Sequence, residues 1–100
     1  MPALSYRMEV RFSPEVARPG QAVDVEVRLS DVQGEVSSVY AVVPQGGIVE
    51  TLRPQGEGTY VVTSMVPWDA PPGTYSVYFY ATDAQGNRGP DVWSQVTVES

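Results

Sequence analysis

Three oxygen-bearing side chains, Asp83, Asn87 and Asp91, stand close together in the stretch 83–91. Carboxylate and amide oxygens are ligands that Ca²⁺ prefers, and a loop can add its backbone carbonyls to them. The spacing matches no EF-hand loop, however, and Asp or Asn side chains in such stretches often bond to their own backbone and stabilise a turn. The stretch therefore predicts either a calcium site or a turn held by its own side chains, and the turn is favoured.

A second group of candidate functional residues is aromatic and consists of Tyr40, Tyr78, Tyr80 and Trp93. Rings with a polar tip stack on sugars or anchor a protein partner, because they bury a large area at low rotamer cost. The same rings also form ordinary cross-strand pairs, or pack against Arg side chains or an adjacent domain. The group predicts a binding face or a self-packed face, provided that the strands bring the rings to one side.

Catalysis is not expected from this composition. The 100 residues include no Cys, His or Lys, and six Arg stand against twelve acidic residues, which gives a net charge of −6. Without His or Lys, no base of the usual kind can activate a Ser or Thr hydroxyl. We therefore expect no catalytic residue and no cofactor. Nucleic acid is not an expected partner, since binding a phosphate backbone needs clustered cations, and no apolar run is long enough for membrane insertion.

The sequence is rich in residues that favour β-strands, so strands must position the carboxylate and aromatic groups. The chain contains 18 Val, and its nine Pro and nine Gly are so spread that no helix of ordinary length fits. Alternation with a period of two predicts seven strands, in residues 6–12, 23–29, 37–43, 48–52, 59–66, 74–82 and 92–98. The sixth and seventh of these then direct Tyr78, Tyr80 and Trp93 outward, and the third directs Tyr40 outward.

Seven short strands, most with one apolar face, predict an all-β fold in which two antiparallel sheets form a sandwich. Residues 6–99 are expected to form this single domain, and residues 1–5 a disordered or vector-derived start. The strand 59–66 has apolar residues on both faces, which predicts a bulge or a second covered face. Trp68, in a Pro-rich stretch, is expected to cap the open end of the core.

The segment 72–87 resembles the penultimate strand of bacterial immunoglobulin-like and fibronectin-III-like domains. It begins with Pro72-Gly73-Thr74-Tyr75 and ends with Ala81-Thr82-Asp83-Ala84-Gln85-Gly86-Asn87, which match the recurring PGTY start and A-x-D-x-x-G-N end. Pro19-Gly20-Gln21 and Gly58-Thr59-Tyr60 are similar to strand openings in the same families. The resemblance implies an immunoglobulin-like sandwich without a disulfide, in which the Tyr75 hydroxyl ties back to a loop backbone as a tyrosine corner.

The resemblance also implies a setting for the domain. Relatives of this kind belong to extracellular or cell-envelope proteins, often as spacers or accessory modules beside an enzyme or adhesin. The expected partners are therefore adjacent domains of a parent protein, and the isolated domain is expected to be a monomer. The alternative is a ligand-binding module that recognises a carbohydrate or a protein through Tyr40, Tyr78, Tyr80 and Trp93.

Overall fold

The computed structural model describes residues 4–100, which form eight strands and one short helical turn. The strands are β1 (Ser5–Ser13), β2 (Val16–Ala17), β3 (Ala22–Gln33), β4 (Ser38–Val43), β5 (Ile48–Gly56), β6 (Thr59–Met65), β7 (Gly73–Thr82) and β8 (Val92–Val98). A single 3-10 turn, Pro44–Gly46, separates β4 from β5. The predicted all-β class is confirmed, and within the described range no helix has the length and apolar character to cross a membrane.

The strands form one continuous sheet rather than two separate ones. Its order is β1-β3-β6-β5-β4-β7-β8-β2. The two halves are joined by β5, because Ile48 to Leu52 pair with β4 whereas Arg53 to Gly56 pair with β6. The prediction of two separate sheets is therefore corrected at β5, where one strand changes partners. The two edge strands, β1 and β2, follow each other in the chain. The two edges of the sheet therefore lie close together, and the sheet nearly closes into a barrel.

The two-residue strand β2 was not predicted, and it is the exception to the predicted antiparallel pairing. Val16 and Ala17 pair in parallel with Thr97 and Val98 of β8. The amide of Glu99 donates to the carbonyl of Ala17 at 2.8 Å, and the Ala17 side chain is fully buried. A stretch this short, with proline residues on both sides, shows no alternation pattern. Such a strand is defined by the strand it pairs with and not by its own sequence.

The core follows the predicted inward positions. Val23, Val25, Val27 and Leu29 of β3 are 0–8% exposed, and Phe79 of β7 is fully buried. The core also extends beyond the predicted start of the domain at residue 6, because Ser5 begins β1 and Leu4 is only 1% exposed. The expectation of a loose start for residues 1–3 lies outside the described residues.

The strand 59–66 contains no bulge in its ladder with β3. Residues 59–65 of β6 pair with β3 in continuous register, and the irregularity lies instead in β5, between Pro54 and Gly56. The outward apolar side chains of β6 are at most partly covered. Val61 is half-buried opposite Glu26 and Arg53, and Met65 is 59% exposed. The predicted bulge is therefore wrong for this strand.

The expectation that Trp68 caps the core is also wrong. Its side chain is 82% exposed. The ring lies against the backbone of Gly20, so closely that a Cβ atom there would be 2.6 Å from two ring carbons. The amide of Gly20 in turn donates to the carbonyl of Val66 at 2.8 Å. Trp68 therefore packs on the loop before β3 and leaves that end of the interior open.

Candidate functional site

An aromatic row crosses the outer face of β4, β7 and β8. It consists of Tyr40, Tyr80, Tyr78 and Trp93, in that order. The register places Tyr40 opposite Tyr80 and Tyr78 opposite Trp93. The ring centroids lie 5.2 Å apart for Tyr40 and Tyr80, 6.2 Å for Tyr80 and Tyr78, and 4.8 Å for Tyr78 and Trp93. The predicted placement of four rings on one face is confirmed, and their binding role stays a prediction.

Much of the aromatic row is covered by its own members and by Arg88. The guanidinium carbon of Arg88 lies 3.7 Å from the Tyr80 ring centroid and 5.7 Å from that of Tyr78. The three tyrosines are half-buried, whereas Trp93 is 60% exposed. Cation–π contact and cross-strand packing are each favourable by about 0.5–1.5 kcal/mol in general. Trp93 is thus the ring that a partner would reach first.

Arg88 is held over the row by Asp91. Its Nη2 donates to Oδ1 of Asp91 at 2.7 Å, and its Nε donates to the same oxygen at 3.3 Å. This hydrogen bond is the main cause that raises the pKa of Arg88, so the side chain stays cationic. The strand pattern of the sequence does not reveal Arg88 as a functional residue. One sequence signal could have identified it: Arg88 is the one cation in the loop 83–91, which connects the strand of Tyr78 and Tyr80 to the strand of Trp93.

Asp83 organises the start of that loop. Its Oδ1 accepts hydrogen bonds from the amides of Gln85 and Asn87, at 3.0 and 2.8 Å, and its Oδ2 accepts one from Nδ2 of Asn87 at 2.9 Å. Across residues 4–100, no group of three or more His, Cys, Asp or Glu side chains is arranged to hold a metal ion. The geometry favours the turn role of Asp83 and Asn87 and gives Asp91 a partner in Arg88. Calcium binding stays a prediction.

The far end of the loop is anchored by Tyr6 of β1. The Tyr6 hydroxyl donates to the carbonyl of Pro90 at 2.6 Å and accepts from the amide of Ala81 at 2.9 Å. Gly89 is buried directly against the Tyr6 ring, so that a Cβ atom at this position would overlap the ring. Burial is the main cause that raises the pKa of Tyr6 above 10.0. The loop that carries Arg88 and Asp91 is therefore fixed at both ends.

The hydrogen bonds to Asp83 predict a pH dependence. The bond from the Asn87 side chain, followed by backbone bonds and opposed by desolvation, holds the pKa of Asp83 below its ordinary value of 3.8. A depressed folded-state pKa stabilises the fold above the unfolded pKa, and this stabilisation is lost as the pH falls through the folded value. NMR titration of the Asp83 carboxyl group should show the low pKa, and Asn87→Ala should raise it. An unchanged pKa in that variant would contradict the assigned cause.

The tyrosine corner implied by the resemblance has the expected hydrogen bond. The Tyr75 hydroxyl donates to the carbonyl of Pro71 at 2.6 Å and so ties β7 to the loop before it. Tyr75→Phe should lower the free energy of unfolding by about 1 kcal/mol, the usual value of one intramolecular hydrogen bond.

Urea unfolding measures this difference, and Tyr60→Phe is the matched control. Tyr60 is also half-buried, and its hydroxyl has no hydrogen-bond partner in the described part of the chain. A loss in Tyr60→Phe as large as in Tyr75→Phe would show that the bond to Pro71 is not the cause.

Comparisons with known proteins connect this chain to others through its fold. No family model matches the sequence, and no curated protein shows significant similarity to it. Among solved structures, an engineered protein matches with a TM-score of 0.62 and 25% identity, over 94% of this chain and 20% of that one. The PKD1 domain from the Vibrio cholerae metalloprotease PrtV matches with a TM-score of 0.60 and 21% identity, over 98% of this chain and 99% of that one.

An endo-beta-1,4-mannanase from Thermotoga petrophila is also similar, with a TM-score of 0.60 and 14% identity. The match covers 93% of this chain but 19% of the mannanase. This chain therefore spans about a fifth of the length of the engineered protein and of the mannanase, and nearly the whole of the PKD1 domain. At these identities, the likeness to the PKD1 domain and to the mannanase shows the fold alone.

Proposed function

We propose that this chain is a non-catalytic, immunoglobulin-like accessory module of a larger secreted or cell-surface protein, and that its main role is structural. The observation that carries the proposal is that the charged side chains of the loop 83–91, which places Arg88 over the aromatic row, are already engaged within the domain. Arg88 bonds to Asp91 and covers Tyr80, while Asp83 bonds to Asn87 and to the loop backbone. These contacts stabilise the domain's own surface and use the charged groups of the loop for that purpose.

The comparisons support the same proposal. The similar structures include a PKD1 domain that comes from a metalloprotease and a stretch that makes up about a fifth of a mannanase. Both parents are enzymes, and in each the similar region is a part of the whole. These likenesses support the proposal of a module beside an enzyme, and the sequence itself contains no His, Cys or Lys for catalysis of its own.

Ligand binding by Trp93 is the second candidate function. Trp93 is 60% exposed and lies 4.8 Å from the Tyr78 ring, so two adjacent rings face solvent at the β8 side of the row. Adjacent aromatic rings of this kind suit a sugar or a protein side chain. The tilt of 46° between the two rings means that they do not form one flat platform.

A pull-down on soluble and insoluble polysaccharides tests both candidates. The parent domain is compared with Trp93→Ala and with Trp68→Ala, a control that removes the other exposed Trp, whose ring packs on Gly20 before β3. The structural role predicts that none of the three is retained, and that sedimentation at rising concentration gives only monomer. Retention of the parent and of Trp68→Ala, but not of folded Trp93→Ala, would overturn the structural role and establish a carbohydrate-binding module.

A further inference from the structure

The interior of the domain is closed at one end and open at the other. Near Tyr6, the side chains of Leu4, Val39 and Ala81 are 0–1% exposed. At the opposite end, near the loop 67–72, a cavity of about 550 Å³ enters the core and is lined mainly by apolar residues. Its walls include Val43, Ile48, Val62, Val66, Val77 and Val96. Protein cores are normally packed so closely that few voids exceed the size of a water molecule.

The opening results from the change of partner in β5. Ile48 to Leu52 pair with β4 only, and the ladder between β5 and β6 begins at Arg53. The second half of β6, from Val62 to Met65, therefore pairs with β3 on one side and has no ladder to β5 on the other. Both strands line the cavity along these residues, through Ile48 and Glu50 of β5 and through Val62 and Ser64 of β6.

Two polar side chains face each other across this opening. Alternation along β5 places Glu50 on the inward side between Ile48 and buried Leu52, and alternation along β6 places Ser64 inward after Val62. The Ser64 hydroxyl donates to Oε1 of Glu50 at 3.4 Å, and both residues line the cavity. An ionised carboxylate can accept several hydrogen bonds, and Ser64 occupies only one of these acceptor sites, so Glu50 can accept from a further donor in the cavity.

The charges around the cavity point to the ligand. Asp69 also lines it, and among its described lining residues there is no Arg to neutralise the two carboxylates. Ligand pockets of small molecules typically have volumes of about 300–1,000 Å³, apolar walls and a few placed polar groups. We propose that this cavity binds a small amphiphile with an apolar body and a protonated amine head, the body lying among the valines and the head donating to Glu50.

Three straight-chain probes of ten carbon atoms each test the proposal: decylamine, decanol and decanoate, each measured by calorimetric titration below its aggregation concentration. We expect decylamine to bind most tightly, decanol more weakly and decanoate weakest, because Glu50 and Asp69 repel a carboxylate. NMR shift changes should lie at Val43, Ile48 and Val62 and not at Trp93. Absence of binding by all three probes, decanoate binding as tight as decylamine, or decanol binding as tight as decylamine would overturn the proposal.

Variants locate the head and the body of the ligand separately. Glu50→Gln should weaken decylamine binding about tenfold, because it removes a charge-assisted hydrogen bond, and should leave decanol binding nearly unchanged. Glu9→Gln, on the exposed face of β1, is the matched control and should bind like the parent.

Ala41→Leu, which narrows the cavity, should weaken the binding of both ligands. Equal binding in parent and Ala41→Leu would place the ligand elsewhere, and ligand-induced dimers in sedimentation would assign the open end to a second copy of the chain.

Discussion

Val27→Asp should abolish the cooperative unfolding transition of the domain. Val27 is fully buried at the middle of β3, where the register places it between Val10 of β1 and Tyr60 of β6. An unpaired carboxylate at such a position costs several kcal/mol even when it takes up a proton, whereas a whole domain is typically stable by only about 5–15 kcal/mol. Circular dichroism during thermal and urea denaturation would show the loss of the folded state.

The neighbouring residue supplies the control for this prediction. Glu26 points to the outer face and accepts a hydrogen bond from Nε of Arg28 at 3.2 Å, in a surface ion pair whose Arg and Glu side chains are 62% and 31% exposed. Exposed ion pairs contribute about 0–1 kcal/mol, so Glu26→Gln should change the free energy of unfolding by less than about 0.5 kcal/mol. Similar effects of the two substitutions, or a stably folded Val27→Asp, would contradict the assigned faces of β3.

Alternation is the reason that the sequence predicted the outer face correctly. Tyr40, Tyr78, Tyr80 and Trp93 lie on regular strands, and in a strand the side of each residue follows from a period of two. The position of Arg88 did not follow in this way. It depends on the turn formed by Asp83 and Asn87 and on the anchor at Tyr6, and such contacts between loop atoms have no periodic signature.

The change of pairing partner within β5 could not be predicted from the sequence either. Residues 48–52 were predicted as a strand, but the alternation of one strand does not state which strands lie beside it. The irregularity between Pro54 and Gly56 sits where β5 pairs with β6. The inward position of Glu50 is visible in the alternation of Ile48, Glu50 and Leu52, and it is the one sequence signal of the opening.

Ala81→Leu should destabilise the domain, whereas the same substitution at Ala41 should not. Both residues are buried on the inward side of β7 and β4, at 0% and 7% exposure. Ala81 lies at the closed end, paired with buried Val39, and its amide donates to the Tyr6 hydroxyl. Added carbon atoms have no space there, and overpacking of a filled core typically costs about 1–3 kcal/mol.

Ala41 lines the cavity, so a Leu side chain at this position extends into available space and buries apolar surface. Ala41→Leu should therefore leave the free energy of unfolding unchanged or raise it, as measured by urea denaturation beside Ala81→Leu. Because the two variants add the same atoms to the same kind of strand position, their difference reports the packing at the two ends of the core. An equal loss of stability at both sites would mean that the open end is as tightly packed as the closed one, and the proposed ligand cavity would then have no basis.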